Sequence, residues 1–203
     1  MSTISLFSKR LRWVMGTVVV LVIGAFLTYI ASPLARNRVP SEFNESRQLA
    51  ASVAQNIVGM LSETSANLSK IQELEQQQKG YRALDIVAGE IEKNKNISDQ
   101  ASQLALHLEI MAKQIPGISP DYAAQTALVA ISSETALINQ LLVYNNNLNN
   151  LLLLLRDRYM HGGVSLEQIN SVVDEINQRM ESINSLNTQF VQLMESFDTY
   201  YRE

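Results

Sequence analysis

The side chains able to do chemistry are few, and their spacing does not assemble a reaction centre. The chain has two histidines, His107 and His161, and no cysteine. Without Cys there are no disulfides, thiolate zinc sites, iron–sulfur clusters or cysteine nucleophiles. His107 lies in Leu-Ala-Leu-His-Leu, at the edge of an apolar stripe, and reads as a structural histidine. His161 stands just before Gly162-Gly163, where a partly charged imidazole suits a helix C-terminus. A di-iron bundle needs Glu-x-x-His on two helices, and the sequence has none. A haem held by His and Met is disfavoured, because Met at helical spacing is ordinarily core filler. Phosphate-cradling G-x-x-x-x-G-K and G-x-G-x-x-G loops and the G-x-S-x-G elbow are absent as well. The acid pairs Glu73/Glu75, Glu90/Glu92 and Asp174/Glu175 read as solvated helix surface. No catalytic, cofactor-binding or metal-ligating residue is assigned, and no enzyme is expected. Three glycosylation sequons, at Asn44, Asn67 and Asn96, carry no information without the host.

Two other groups of residues stand out. Asn145 and Asn187, with Thr64 and Gln78, occupy positions in apolar seams. They are either half-buried or buried polar groups, and buried amides in such a seam fix register and partner number at some cost in stability. The second group is the leucine run 151–155. Five consecutive leucines cover more than one helix face, so Leu151, Leu153 and Leu154 form a candidate interaction surface unless another helix covers them. On this reading, charging Leu153 and Leu154 abolishes association.

The elements that must position these residues are all helical. After Pro40, apolar residues recur at spacings of three and four, with no hairpin signal. In the last helix Ile169, Ile176, Ile183, Phe190 and Phe197 fall seven apart. Val173, Met180, Asn187, Met194 and Tyr201 each follow by four. Ser165 and Gln168 form a capping box at its start. The preceding helix opens at Ser119-Pro120-Asp121, with Ser119 as cap and Pro120 at the first helical position, and stops at Gly162. Its seam includes Ile131, Ile138, Leu152 and Tyr159, with Leu141, Leu148 and Leu155 alongside. Residues 135–155 are uncharged, but the asparagines and glutamines among them argue against a membrane span. Earlier stripes run Ala50, Val53, Ile57, Met60, Thr64, Ile71, Leu74 and then Leu84, Val87, Ile91, Asn94, Ala101, Leu104, Leu108, Met111, Ile115. Gly80 reads as a helix end; the alternative is a first helix continuing to about Lys93.

Charge divides the chain. Residues 1–40 carry five basic residues and no acid, whereas residues 41–203 carry 11 basic and 20 acidic residues, a net −9. An acidic domain with dispersed bases is a poor nucleic-acid binder. No charge interrupts residues 13–35, and the 20 residues from Trp13 to Ser32 reach ~30 Å as a helix, the thickness of a bilayer core. This favours an uncleaved membrane anchor over a signal peptide, whose apolar core is shorter. The basic flank of Lys9, Arg10 and Arg12 favours an inside N-terminus, placing residues 41–203 outside the cytoplasm.

The expected fold is all-α: a basic flank (1–12), a single transmembrane helix (13–35), a linker (36–40), and a long antiparallel four-helix bundle of coiled-coil type (41–203). Its helices are expected at about 41–79, 81–115, 120–161 and 165–202. The layout resembles chemoreceptor ectodomains in architecture alone. The expected partners are the lipid bilayer, through Trp13–Ser32, and a protein partner or a second copy; a small-molecule ligand is left unknown. The expected function is a non-enzymatic scaffold or interaction role at the membrane surface. The alternative is a sensor-like ligand-binding bundle that acts through a partner subunit.

Overall fold

The computed structural model describes residues 39–201. The expected membrane segment, 13–35, lies outside the described residues. Within them the fold is all-helical: α1 (Ser41–Gln76), α2 (Gly80–Gln114), a short 3-10 turn (Ile115–Gly117), α3 (Asp121–His161) and α4 (Leu166–Thr199). Short turns make consecutive helices antiparallel neighbours, and α1 packs on α2, α2 on α3, and α3 on α4.

Burial follows a seven-residue repeat. In α2 the buried residues are Ala83, Val87, Glu90, Asn94, Ile97, Ala101, Leu104, Leu108 and Met111, alternately four and three apart. In α4 and the turn that follows it all ten expected seam residues are buried, from Ile169 to Tyr201. The central helix α3 buries a wider face. Beside the seam from Ala123 to Leu155 it also buries Ile131, Ile138, Asn145 and Leu152. Two neighbours, α2 and α4, demand two apolar flanks, which explains its hydrophobic composition. By length and composition α3 could cross a membrane; here its apolar flanks are spent on the bundle.

Two helix boundaries form as expected. Ser165 accepts from Gln168 N–H at 3.2 Å, and Gln168 Oε1 accepts from Ser165 N–H at 3.0 Å, completing the capping box. Gly162, at φ +73°, ends α3 in the left-handed conformation that glycine adopts without strain. Two others differ. The chain does turn before α2, yet Gln78 takes the left-handed conformation (φ 58°), and Gly80 begins the next helix. A Cβ on Gly80 would stand 3.4 Å from the Tyr159 ring, so this glycine serves close packing. At α3, Pro120 is the cap residue and Ser119 makes no side-chain cap; the Ser119 carbonyl instead accepts from the Tyr201 hydroxyl at 2.9 Å.

Candidate functional site

The fourth seam, between α1 and α4, is unlike the other three. Among the described residues no Cα of α1 comes within 8 Å of a Cα of α4. Long side chains span the gap at the end nearest residue 40. Arg47 and Asp198 form a two-pronged pair, Nη1–Oδ1 at 3.0 Å and Nη2–Oδ2 at 2.9 Å, with the Asp198 side chain 1% exposed. A guanidinium fork matches a carboxylate in this way and fixes geometry as well as charge. The Phe43 and Phe197 rings lie 5.6 Å apart, and Phe197 lies 5.2 Å from Tyr201. Gln114 ties α2 to Glu42 of α1 at 2.6 Å.

Midway along the seam the gap becomes a cleft. Its walls are Ala54, Ile57, Val58 and Leu61 of α1, Leu104 of α2, Glu134, Leu137 and Leu141 of α3, and Ile183 and Asn187 of α4. Its volume is about 50 Å³. That admits a few waters or a compact chemical group; pockets for larger ligands run to ~300–1,000 Å³. Glu134 is 3% exposed, and its Oε2 has no hydrogen-bond partner among the described residues. No other titratable side chain lines the cleft. Apolar surroundings disfavour the charged form, so burial pushes the Glu134 carboxyl up to about 7. Such a carboxyl in an apolar recess is a recurrent mark of a functional site.

Asn187, read from the sequence as a seam amide, lines this cleft and is 5% exposed. Asn145 does something different. Its Nδ2 donates to the Asn94 carbonyl at 3.2 Å, and Asn94 Nδ2 donates to the Asn145 carbonyl at 3.0 Å. This reciprocal clasp joins α2 to α3 and fixes their relative register. Nearby, Asn67 Nδ2 donates to Glu90 Oε1 at 2.7 Å, Lys93 Nζ stands 3.5 Å from the same oxygen, and Lys93 also bonds Glu63. Glu90 is thus a core residue, 2% exposed, and not the solvated acid that its spacing from Glu92 suggests. Ile91, expected in the seam, flanks it.

The leucine run also requires correction. Leu151 is 1% exposed and packed in the core, because α2 and α4 cover α3 from both sides. Leu153 and Leu154 are half-buried, and Leu154 packs against the core. The exposed apolar side chains lie elsewhere. Besides Leu49 of α1, Tyr81 and Leu106 of α2 and Tyr122, Leu128, Val129, Val143 and Met160 of α3 are exposed. Between α2 and α3 runs a groove of about 340 Å³, lined by Ala101, Ala105 and Ala112 on one wall and Ile131, Ile138 and Leu142 on the other. Alanines on α2 facing larger residues on α3 leave the space that makes the groove.

Glu134 was missed in the sequence although a signal was there. Leu141, Leu148 and Leu155 repeat every seven residues, and one step back lands on Glu134. His107 is half-buried and His161 is exposed at the end of α3. Among the described residues no three His, Cys, Asp or Glu side chains converge as a metal site. No protein-family model matches the chain, and no curated protein or solved structure does.

Proposed function

We propose that the chain is a membrane-anchored helical bundle with a non-enzymatic interaction role at the membrane surface. The reading starts from the uncharged segment 13–35 and its basic flank, followed by an acidic bundle. The observation that carries it is the bracing of the bundle end that follows this segment. There the Arg47–Asp198 pair, the Phe43–Phe197–Tyr201 stack, the Gln114–Glu42 bond and the Tyr201–Ser119 bond tie together α1, α2, the chain end at α4 and the turn that leads into α3. A bundle held rigid where it meets its anchor can present the rest of its length, some 50 Å of helix, to a partner. The exposed apolar side chains of α2 and α3 support the interaction role.

The cysteine-free sequence makes the test direct. Single cysteines at Leu106, Leu128 and, as a control on α4, Glu181 are introduced into the full chain in membranes and cross-linked. The reading expects adducts of defined mass at Leu106→Cys and Leu128→Cys and none at Glu181→Cys. Recovery of the chain in the soluble fraction, or equal adducts at all three positions, would overturn it. The sensor-like alternative is favoured by one specific observation, the buried, unpartnered Glu134 carboxyl in its cleft.

A further inference from the structure

We propose that the cleft at Glu134 binds a compact primary alkylammonium, its ammonium on the Glu134 carboxylate and the Asn187 amide oxygen, its alkyl stem among Ile57, Leu61, Leu137 and Ile183. The argument is one of elimination by chemistry. Oε2 of Glu134 is a buried acceptor with no donor among the described residues, and a carboxylate in that position gains most from a charged donor. No cationic side chain lines the cleft, so an anion finds no counter-charge there. Of the residues in the cleft wall, Glu134 and Asn187 alone have polar side chains, and nearly all of the lining surface is apolar. Calcium takes six to eight oxygen ligands, and magnesium needs six in octahedral array, so neither is served by this set. The other eight wall residues are apolar, which suits a hydrocarbon stem and penalises a hydrated ion. One carboxylate balances one positive charge, which excludes burying both charges of a diamine. A volume of about 50 Å³ limits the enclosed part to an ammonium head and its first carbons. A longer stem leaves through the gap between α1 and α4, where the backbones stand apart. A quaternary ammonium lacks the N–H donors and is too broad.

Binding and proton release are coupled at this site. Burial pushes the free carboxyl up to about 7. A bound cation favours its ionised form, so binding at pH 6 expels close to one proton per site. Affinity is then about tenfold weaker at pH 6 than at pH 8. This proposal supplies a ligand class to the sensor-like alternative. It is separate from the anchored-interaction reading, whose cross-linking test does not depend on any ligand.

The test is isothermal titration of the full chain in detergent micelles with ethylammonium chloride. It is run at pH 6 and pH 8, each in two buffers of different ionisation enthalpy. Ethanol, tetramethylammonium chloride and potassium chloride are the comparison titrants. The expected result is saturable one-to-one binding of ethylammonium, tighter at pH 8, with a buffer-dependent heat at pH 6 that reports proton release. Glu134→Gln keeps the shape and removes the charge, and it should weaken binding about 10- to 100-fold. Should that variant not fold, Ala54→Leu, which fills the cleft and leaves the carboxyl, should also abolish binding. Any of three outcomes would overturn the proposal: no saturable heat at either pH, unchanged affinity in Glu134→Gln, or equal binding of ethanol or potassium.

Discussion

The seam between α1 and α4 is built on two different kinds of chemistry along its length. Near residue 40 the gap between the backbones is filled. Arg47 and Asp198 satisfy each other, Phe43 and Phe197 meet, and Tyr201 reaches the Ser119 carbonyl. Around Glu134 the same gap is lined by Ala54, Ile57, Val58 and Ile183, side chains too short to meet across it, and the one ionisable group has no partner for Oε2. Both stretches place a carboxylate in the interior. Beside a guanidinium Asp198 holds the helices together, whereas Glu134 alone sets its own ionisation against the fold. Partnering, more than burial, therefore decides whether a buried acid acts as a brace or as a responsive group.

The largest expected effect is at the closed stretch. Phe197→Ala removes a fully buried ring that bridges Phe43 and Tyr201, and should cost ~3–5 kcal/mol in chemical denaturation. Asp198→Ala leaves the Arg47 guanidinium without its carboxylate and should cost about 3 kcal/mol, or ~6–12 °C in Tm. If both variants melted like the native chain, the contrast between the two stretches would fail. A smaller effect is expected from the clasp. Asn145→Ala strands the Asn94 carbonyl's second bond and leaves a void, and should lower stability by ~1–2 kcal/mol. Asn187→Leu puts hydrocarbon into the cleft, and should raise Tm slightly while blocking any ligand. Leu153→Glu, on a half-buried site, should change stability by less than about 1 kcal/mol.

Much of the fold was legible because the seven-residue repeat is read directly from residue type. The α4 seam, its capping box and the Gly162 terminus follow from local pattern alone. The misreadings share a cause in tertiary context. Ile91 looks like the seam residue, but the strict alternation of fours and threes in α2 places Glu90 there, where Asn67 and Lys93 receive its charge. Leu151 looks like surplus surface until α3 is seen to be covered on two sides. The cleft depends on the distance between α1 and α4, which no local pattern encodes. Asn187 was recognised as an exception in its seam, but its role emerged only when Glu134 was found across the same space.

The most direct measurement is the stability of the full chain against Glu134→Gln between pH 4 and pH 8. A carboxyl ordinarily near 4.5 and raised in the fold to about 7 gives stability that is complete below pH 4.5. That stability is lost as pH rises through 7, because the folded state holds the proton longer than the unfolded chain. The native chain should therefore match Glu134→Gln at pH 4 and fall progressively behind it up to pH 7. Beyond that the deficit should settle at about 3 kcal/mol, or ~6–12 °C in Tm. Two parallel curves across that range would contradict the account, since Glu134 would then be solvated or already paired and the seam would have no open stretch.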